Sequence, residues 1–300
     1  MLPEYSNLNP IFLEYANDVM SGAIVACNNI KLACKRYLDW FDRTDIEFRP
    51  EMVQKKIDFV NKMKHWQGPY AGKHFNLLPF QVWIFCNIFG WYYRETNKRV
   101  TRNVFIFVGR KNSKTSLAAA ISLACMCKDG EQGAEVNLIA NNRKQALIAF
   151  EDCQNYSRSL DPKHKYLTVY RDSIKFSKTN SKLQVLASDS MGLDGYRSHM
   201  FLIDEFHAAK TWDLYNVMKR SQGVQENPLA IIITTAGYLQ SGYPCYDMRI
   251  ACIDILRGFK HDDSQFSAIY ELDEGDDWQD ENVWIKANPS LGVALRKDAV

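Results

Sequence analysis

The sequence predicts an α/β fold with a mostly parallel central sheet flanked by helices. Short apolar runs without polar alternation, at 104–108, 136–140, 200–204 and 229–235, indicate strands that are buried on both faces. Helical patterns separate these runs, and the clearest is the amphipathic stretch 143–160. Buried strands that alternate with helices are typical of a parallel sheet covered on both faces.

Composition is consistent with a globular protein of one large or two smaller domains. The 300 residues are 46% hydrophobic, which is enough for a buried core. The sequence lacks the roughly 18 to 20 consecutive uncharged apolar residues of a membrane helix, and its start lacks the order of a signal peptide, so we expect a cytoplasmic protein without a membrane partner. A net charge of +2 is too small to indicate a nucleic-acid ligand by itself.

The eight cysteines lie mostly within apolar segments. They form no CxxC pair and show no spacing typical of a zinc site. Buried free thiols are therefore expected.

The first third of the chain is predicted to be helical. An Asn-Pro pair at 9–10 is a plausible helix start, and a helical region continues through 21–41. Further helices are predicted at about 51–63 and over 79–93. Residues 1–65 are interpreted as a helical N-terminal appendage.

The middle of the chain, 66–240, is predicted to be the core domain. After the strand 104–108 the pattern continues with a small-residue helix at 116–127, a strand at 136–140, the helix 143–160, two short strands within 167–177, strands at 183–188 and 200–204, a helix near 212–222 and the strand 229–235.

The tail differs from the core in its pattern. It contains a predicted helix at 246–259, a strand at 266–272, an acidic loop at 273–281 and a run at 294–300 that resembles the start of another helix. We interpret 241–300 as a small C-terminal lid or linker region.

The segment 104–116 has the layout of a phosphate-binding loop. In the consensus G-x-x-x-x-G-K-[ST], which joins a strand to a helix, backbone N–H groups and the lysine cradle phosphates. Placing Lys114 and Thr115 on the last two positions puts Val108 and Ser113 where the glycines are expected. Lys114 would reach the β and γ phosphates and Thr115 would hold Mg²⁺. The alternative is a basic surface turn.

A second motif is an acidic pair at the end of the apolar strand 200–204. Asp204 is predicted to complete the Mg²⁺ site, and Glu205 to polarise the attacking water. The alternative is an ordinary acidic pair on a surface loop.

Two weaker motifs complete the set. Thr234, Thr235 and Gly237 follow an apolar strand, where hydroxyl groups and a glycine can sense a γ phosphate, although an ordinary strand end has the same pattern. Upstream, Phe80 could stack on adenine and Gln81 could bond its paired N6 and N7 groups. A glutamine at a helix start is more often only solvated.

Together these motifs resemble the ATPase portion of the large terminase subunit of tailed bacteriophages. The resemblance covers essentially the whole chain and rests on the ordered segments LLPFQVWIF, GRKNSKTSLAAA, MFLIDEFHAAKTWDLYNVMKRSQ, IIITTAG and IYELDEGDDW with WIKANPSLG. It implies a RecA-like (ASCE) P-loop NTPase fold that hydrolyses ATP with Mg²⁺.

The resemblance also implies roles within the turn. Arg110 matches an arginine that can contact the γ phosphate, and Ser113 replaces the family's glycine before the lysine. A Cβ at this position is expected to crowd the phosphates or to strain the turn. The expected nucleotide contacts of the turn are Gly109, Arg110, Lys111, Asn112, Ser113, Lys114, Thr115 and Ser116.

Partners are implied in the same way. They are double-stranded DNA, a small terminase subunit, the portal and prohead, and further copies of the chain in a ring. Basic residues that could contact DNA are Lys98, Arg99, Arg102, Arg143 and Lys144, and Arg143 could instead act as a finger in a neighbouring subunit. A solvated charge is the alternative for each of them.

Further expectations concern the C-terminal acids and the alternative functions. The acids of 273–281 are interpreted as a solvated linker and not as the family's nuclease site, so the chain is expected to end before a nuclease domain. The alternative functions are a helicase-like translocase, which would need a second RecA-like domain, and a nucleotide-binding or scaffold remnant that no longer hydrolyses ATP.

Overall fold

The computed structural model describes residues 8–140, 143–187, 195–237 and 240–299. The chain forms two compact units. Unit one comprises Met1–Val53, Leu78–Lys114 and Thr234–Val300, and unit two comprises Gln54–Leu77 and Thr115–Ile233. Both units combine segments that are distant in sequence, and the division predicted at residues 65 and 240 stays a prediction.

The helices and strands are numbered in chain order. The helices are α1 (Glu14–Ser21), α2 (Asn28–Asp39), α3 (Pro50–Val60), α4 (Pro79–Phe89), α5 (Lys114–Lys128), α6 (Arg143–Leu160), α7 (Asp213–Arg220), α8 (Pro244–Leu256) and α9 (Trp284–Ala287). The strands are β1 (Ile46–Phe48), β2 (Trp91–Tyr93), β3 (Asn103–Phe107), β4 (Glu135–Ala140), β5 (Leu167–Val169), β6 (Ser173–Phe176), β7 (Ser181–Ala187), β8 (Ser198–Asp204), β9 (Leu229–Thr234) and β10 (Gln265–Ile269).

Unit two is built on a twisted sheet whose strand order is β9-β8-β4-β7-β6-β5. The pairs β9–β8, β8–β4 and β4–β7 are parallel, and the pairs β7–β6 and β6–β5 are antiparallel. Every residue of β8 is buried, as expected for a strand covered on both faces. The predicted α/β fold with a mostly parallel sheet is confirmed.

Unit one contains a parallel pair of strands and an aromatic cluster. β10 pairs with β3 from Gln265 opposite Asn103 to Ile269 opposite Phe107. The Trp91 ring contacts four other rings edge-on, with centroids 5.2 Å from Phe48, 4.8 Å from Phe41, 5.9 Å from Tyr37 and 5.4 Å from Trp40. These contacts pack α2 and the turn that follows it against the paired strands β1 and β2.

Two predicted helices are shorter in the structure. The helical region expected through 21–41 is interrupted, because Gly22 has a left-handed backbone (φ +83°) that ends α1, and α2 begins only at Asn28. The helix expected over 79–93 ends at Phe89, and residues 91–93 form β2, which pairs with β1. The prediction of one continuous helix was wrong in both places. A local glycine cap ends α1 at Gly22, and the long-range pairing with β1 makes residues 91–93 a strand.

The predicted helix and strand bounds around 143–160 and the free thiols are confirmed. The helix 143–160 has the predicted bounds, and the strands around it shift by at most two residues. All eight cysteines, which fall within the described ranges, are free thiols, and seven are buried. None of the helices in the described ranges combines the length and apolar character that a membrane crossing requires.

A buried charged cluster lies within unit two. The ammonium of Lys56, which is fully buried, lies 3.0 Å from Asp129 Oδ1, and His199 Nε2 lies 3.0 Å from Asp129 Oδ2. Lys56 belongs to α3, Asp129 follows α5 and His199 belongs to β8, so one carboxylate connects three elements. A buried pair of this kind is stable only while both charges are present.

We expect Asp129→Ala to lower the free energy of unfolding by about 3 kcal/mol, because it removes the carboxylate that balances a buried ammonium. Urea unfolding followed by circular dichroism measures the change. The matched control is Asp58→Ala on the exposed face of α3, which should change stability by less than about 0.5 kcal/mol. Equal effects of the two variants would contradict the role of Asp129.

Candidate functional site

The turn between β3 and α5 has an unusual backbone. Lys111 and Ser113 both have left-handed conformations, with φ of +63° and +58°, although neither is glycine. Such a conformation costs an L-residue roughly 1–2 kcal/mol, and successive residues of opposite handedness form a concave nest of N–H groups that binds anions. Ser113 therefore occupies the kind of backbone position at which the sequence comparison expected glycine.

Lys114 is the first residue of α5. Its side chain is 8% exposed, and Nζ donates to the carbonyl oxygen of Gly109 at 3.4 Å. The ammonium thus lies over the turn at a helix N-terminus, where the free N–H groups and the helix dipole favour negative charge. Arg110 and Lys111 are exposed, so the contact predicted between Arg110 and a γ phosphate stays a prediction.

The next two residues of α5 differ in their surroundings. Thr115 is half-buried, whereas the Ser116 hydroxyl donates to Asp152 Oδ2 at 3.1 Å. Asp152 also accepts a hydrogen bond from Trp66 Nε1 at 2.6 Å. Burial raises the pKa of Asp152 above its ordinary value, and these two hydrogen bonds oppose that rise. The Ser116 hydroxyl is therefore hydrogen-bonded to a residue of α6.

Asn112 is turned inward. It is 1% exposed, and its amide Nδ2 donates to the carbonyl oxygens of Gly109 at 3.2 Å and Arg110 at 3.1 Å. Its remaining bonds go to Asn288 and Ser290. Both polar atoms of the side-chain amide are therefore hydrogen-bonded within unit one. Of this residue, the predicted contact with nucleotide would fall to the backbone N–H.

The acidic pair lies at the end of β8 in unit two. Asp204 is 8% exposed and its Oδ1 accepts the N–H of Glu205 at 2.8 Å, while the same N–H also lies 3.0 Å from Ile233 O. Glu205 has a left-handed backbone with φ +53°. A non-glycine residue held in this region directly after a buried strand is typical of functional sites.

His207 is a functional candidate that the sequence reasoning missed. Its Nδ1 lies 3.0 Å from Glu205 Oε2, and both side chains are about one quarter exposed. The contact fixes the direction of the Glu205 carboxylate. The signal in the sequence was a histidine two residues after the predicted base.

The third motif lies beside the start of the turn. The carbonyl of Thr234 accepts the N–H of Val108 at 3.1 Å, so the strand end and the turn are joined by a backbone hydrogen bond within unit one. Thr234 and Thr235 are buried, and Gly237 is half-buried. The Thr234 hydroxyl donates to the carbonyl of Thr235 at 3.0 Å.

The predicted adenine residues lie at the start of α4. Phe80 contacts Tyr270 edge-on at 5.9 Å, and with it lines a mainly apolar cavity of about 110 Å³ to which Pro289 and Val293 also contribute. Gln81 is 2% exposed, and its Oε1 accepts the N–H of Leu78 at 3.0 Å. Gln81 is thus not solvated. Its Oε1 already caps the start of α4, which leaves the side-chain NH₂ group for the predicted bond to adenine.

The basic residues predicted to contact DNA differ in their burial. Arg99 is 2% exposed and stacks on Phe89 at 5.8 Å, so its prediction as a surface contact for DNA was wrong. Arg143 and Lys144 begin α6, but their side chains lie outside the described residues.

The acidic loop is not simply solvated, because two of its acids bond Lys286, namely Asp273 at 3.0 Å and Asp276 at 2.8 Å.

Comparison with known proteins gives a consistent picture. A curated terminase large subunit of Lactococcus phage p2 is 26% identical over 225 residues, covering 72% of this chain and 41% of the relative. That of Enterobacteria phage HK97 is 25% identical over 234 residues, covering 76% and 44%. Protein YmfN of Escherichia coli K12 is 44% identical over a shorter stretch of 105 residues, covering 35% and 23%. The chain thus spans less than half the length of these relatives.

The fold matches as well. The crystal structure of the HK97 large terminase aligns with a TM-score of 0.69 and 23% identity, over 84% of this chain and 50% of that one. A family model described as the terminase large subunit, ATPase domain, matches residues 79–250. Since this match covers more than half of the residues, the chain belongs to the family of terminase large subunit ATPase domains.

Proposed function

We propose that this chain binds and hydrolyses ATP as the motor portion of a phage terminase large subunit, and that hydrolysis drives double-stranded DNA into a prohead. The observation that carries the proposal is the turn 109–113, whose two left-handed residues and following lysine suit the phosphates of a nucleotide. Family membership supports the same reading.

The residues fit the expected ligands. The N–H groups of the turn and the ammonium of Lys114 match the negative charge of phosphates. The Thr115 hydroxyl and the Asp204 carboxylate are the hard oxygen ligands that Mg²⁺ prefers. Bound Mg²⁺ would neutralise charge on the phosphate oxygens. Phe80 and Gln81 are proposed to border the adenine, for which the apolar cavity beside Phe80 offers a suitable surface.

Glu205 is proposed as the general base. Its carboxylate, directed by His207, accepts a proton from water as the water oxygen bonds the γ phosphorus, and the bond to the bridging oxygen breaks with its electron pair leaving on ADP. Lys114 and Arg110 are proposed to stabilise the charge that develops on the γ phosphoryl group. Thr234, Thr235 and Gly237 are proposed to link the nucleotide state to movement, since Thr234 is bonded to the base of the turn.

The proposed partners follow from the family. They are double-stranded DNA, a small terminase subunit, the portal and prohead, and a ring of identical subunits in the cytoplasm of a bacterial host. Arg143 is proposed either to contact DNA or to complete the site of a neighbouring subunit. Nuclease activity is not expected from these residues, because the acids Asp273 and Asp276 are bonded to Lys286.

A second candidate is a nucleotide-binding remnant that no longer hydrolyses ATP. Ser113 favours it, because a side chain at φ +58° stands where the family has glycine. A helicase-like translocase has no comparable support.

We expect Lys114→Ala to weaken ATP binding and to lower Mg²⁺-dependent ATP turnover by about a hundredfold or more, because it removes the cation over the phosphates. Glu205→Ala should retain binding but lose about a hundredfold or more in turnover, because it removes the base. Release of inorganic phosphate measures turnover, and titration with a fluorescent ATP analogue measures binding.

The matched controls are Lys163→Ala and Glu151→Ala, which change exposed residues of unit two. Both should keep the activity of the unchanged chain. Full turnover in either the Lys114 or the Glu205 variant would remove the catalytic assignment of that residue.

We expect Ser113→Gly to raise ATP turnover, because it removes a Cβ from a left-handed position next to the proposed phosphate site. Ser113→Val should lower the free energy of unfolding by about 1–2 kcal/mol, since a β-branched residue fits this conformation worse. The control Ser21→Gly, at a helical position, should cost about 0.5 kcal/mol.

Negligible turnover of the unchanged chain that glycine restores would favour the remnant. Turnover that is already high and is unaffected by glycine would show that Ser113 does not limit hydrolysis. Phosphate release and thermal unfolding of the same preparations provide both measurements.

A further inference from the structure

The segment that follows α9 contacts the phosphate turn directly. Asn112 Nδ2 donates to Asn288 Oδ1 at 2.8 Å, and Asn112 Oδ1 accepts both the N–H of Ser290 at 3.1 Å and its hydroxyl at 2.6 Å. Asn112 is 1% exposed and Ser290 is fully buried. These bonds join residues 112 and 290, which are 178 positions apart in the chain.

The orientation of the Asn112 amide is determined by its surroundings. The backbone N–H of Ser290 can only donate, so the atom that faces it must be the amide oxygen. The amide nitrogen therefore faces Asn288 Oδ1 and the carbonyl oxygens of Gly109 and Arg110. One side chain holds two consecutive peptide groups of the turn.

The direction of these two carbonyl groups determines the direction of the N–H groups that follow them in the turn. In a trans peptide the C=O and N–H bonds point in opposite directions. Because the carbonyls of Gly109 and Arg110 are directed at the Asn112 amide, the N–H groups of Arg110 and Lys111 are directed away from it. Without that amide, the two carbonyl oxygens would be free to turn towards an anionic ligand and repel it.

The segment also approaches the backbone of the turn closely. The N–H of Gly109 donates to the carbonyl of Ala287 at 3.2 Å. A Cβ placed on Gly109 would lie 2.5 Å from Asn288 Oδ1, which is closer than such atoms approach. A side chain at 109 would therefore have to displace the Asn288 amide and crowd the carbonyl of Ala287.

Local chemistry holds the segment in this place. Pro289 disfavours a helical backbone at Asn288, whose φ is −133° and ψ is 74°, so α9 ends at Ala287 and the chain turns towards Asn112. Lys286 is held by Asp273 and Asp276, and Asn288 Nδ2 donates to the carbonyl of Trp284 at 3.1 Å. The Lys286 hydrogen bond lowers the pKa of Asp276 below its ordinary value, so the pair stays ionised at neutral pH.

We propose that Asn288 and Ser290 are positioning residues for the phosphate turn. They hold Asn112, and through Asn112 they keep the N–H groups of Arg110 and Lys111 directed at the nucleotide. ATP affinity therefore depends on the docking of a segment at the far end of the chain. This proposal rests on the proposed function and assigns to the C-terminal segment a part in nucleotide binding.

The test compares Asn288→Ala and Ser290→Ala in the 300-residue chain. Each should raise KM and the Kd of a fluorescent ATP analogue by roughly three- to tenfold, the worth of a buried hydrogen bond. Because neither residue touches the reacting atoms, kcat should change by less than about twofold. Ser290→Thr, which keeps the hydroxyl donor, should restore the affinity.

A double-mutant cycle separates positioning from general destabilisation. If Ser290 acts through Asn112, the variant Asn112→Ala with Ser290→Ala should bind ATP no more weakly than Asn112→Ala alone. The matched control is Ser267→Ala, which removes a buried hydroxyl from β10 of the same unit and should leave the Kd unchanged. Additive losses, or an equal loss in the Ser267 variant, would overturn the proposal.

Hydrogen exchange without nucleotide provides an independent measurement. The amide of Gly109 should exchange faster in Ser290→Ala than in the unchanged chain, because its bond to Ala287 depends on the docked segment. Unchanged exchange would overturn the positioning role even if ATP binds. If the unchanged chain binds no ATP, the proposed function fails, and exchange at Gly109 alone then decides whether the segment positions the turn.

Discussion

The conformation of the turn 109–113 depends on one buried side-chain amide. A turn with two left-handed residues that are not glycine is unfavourable by itself, and its carbonyl groups need partners in the interior. Asn112 supplies a donor to two of these carbonyls and accepts two hydrogen bonds from Ser290. Because every polar atom of the amide is used, the turn has one well-defined shape.

The fold was largely predictable wherever a local pattern decides the structure. The helix 143–160 and the buried strands β4, β8 and β9 followed from periodicity and apolar runs. The break after Gly22 and the strand 91–93 could not be predicted in this way. The strand exists because Trp91 and Tyr93 pair with β1, which lies more than forty residues earlier, and a window of local sequence contains no such information.

The candidate site was predictable to a similar degree. Motifs led to Lys114, Asp204 and Glu205, because strand ends and helix starts are visible in the sequence. The role of Asn112 was not visible, since its partners lie at 288–290 and have no chemical signature of their own. The segment after α9 also borders the cavity beside Phe80 through Pro289, so one short stretch connects the two predicted parts of the nucleotide site within unit one.

Gly109 shows why the turn departs from the expected glycine pattern. Its backbone is not left-handed, and the space of a side chain is filled instead by Asn288 Oδ1, the carbonyl of Ala287 and the Asn112 amide. At 111 and 113 the dihedral angles suit glycine, yet larger residues are present. Searches that score glycines at fixed offsets would therefore rank this loop low. The atoms that surround position 109 restrict which residues it can hold. Residues 109 and 288 are therefore expected to change together.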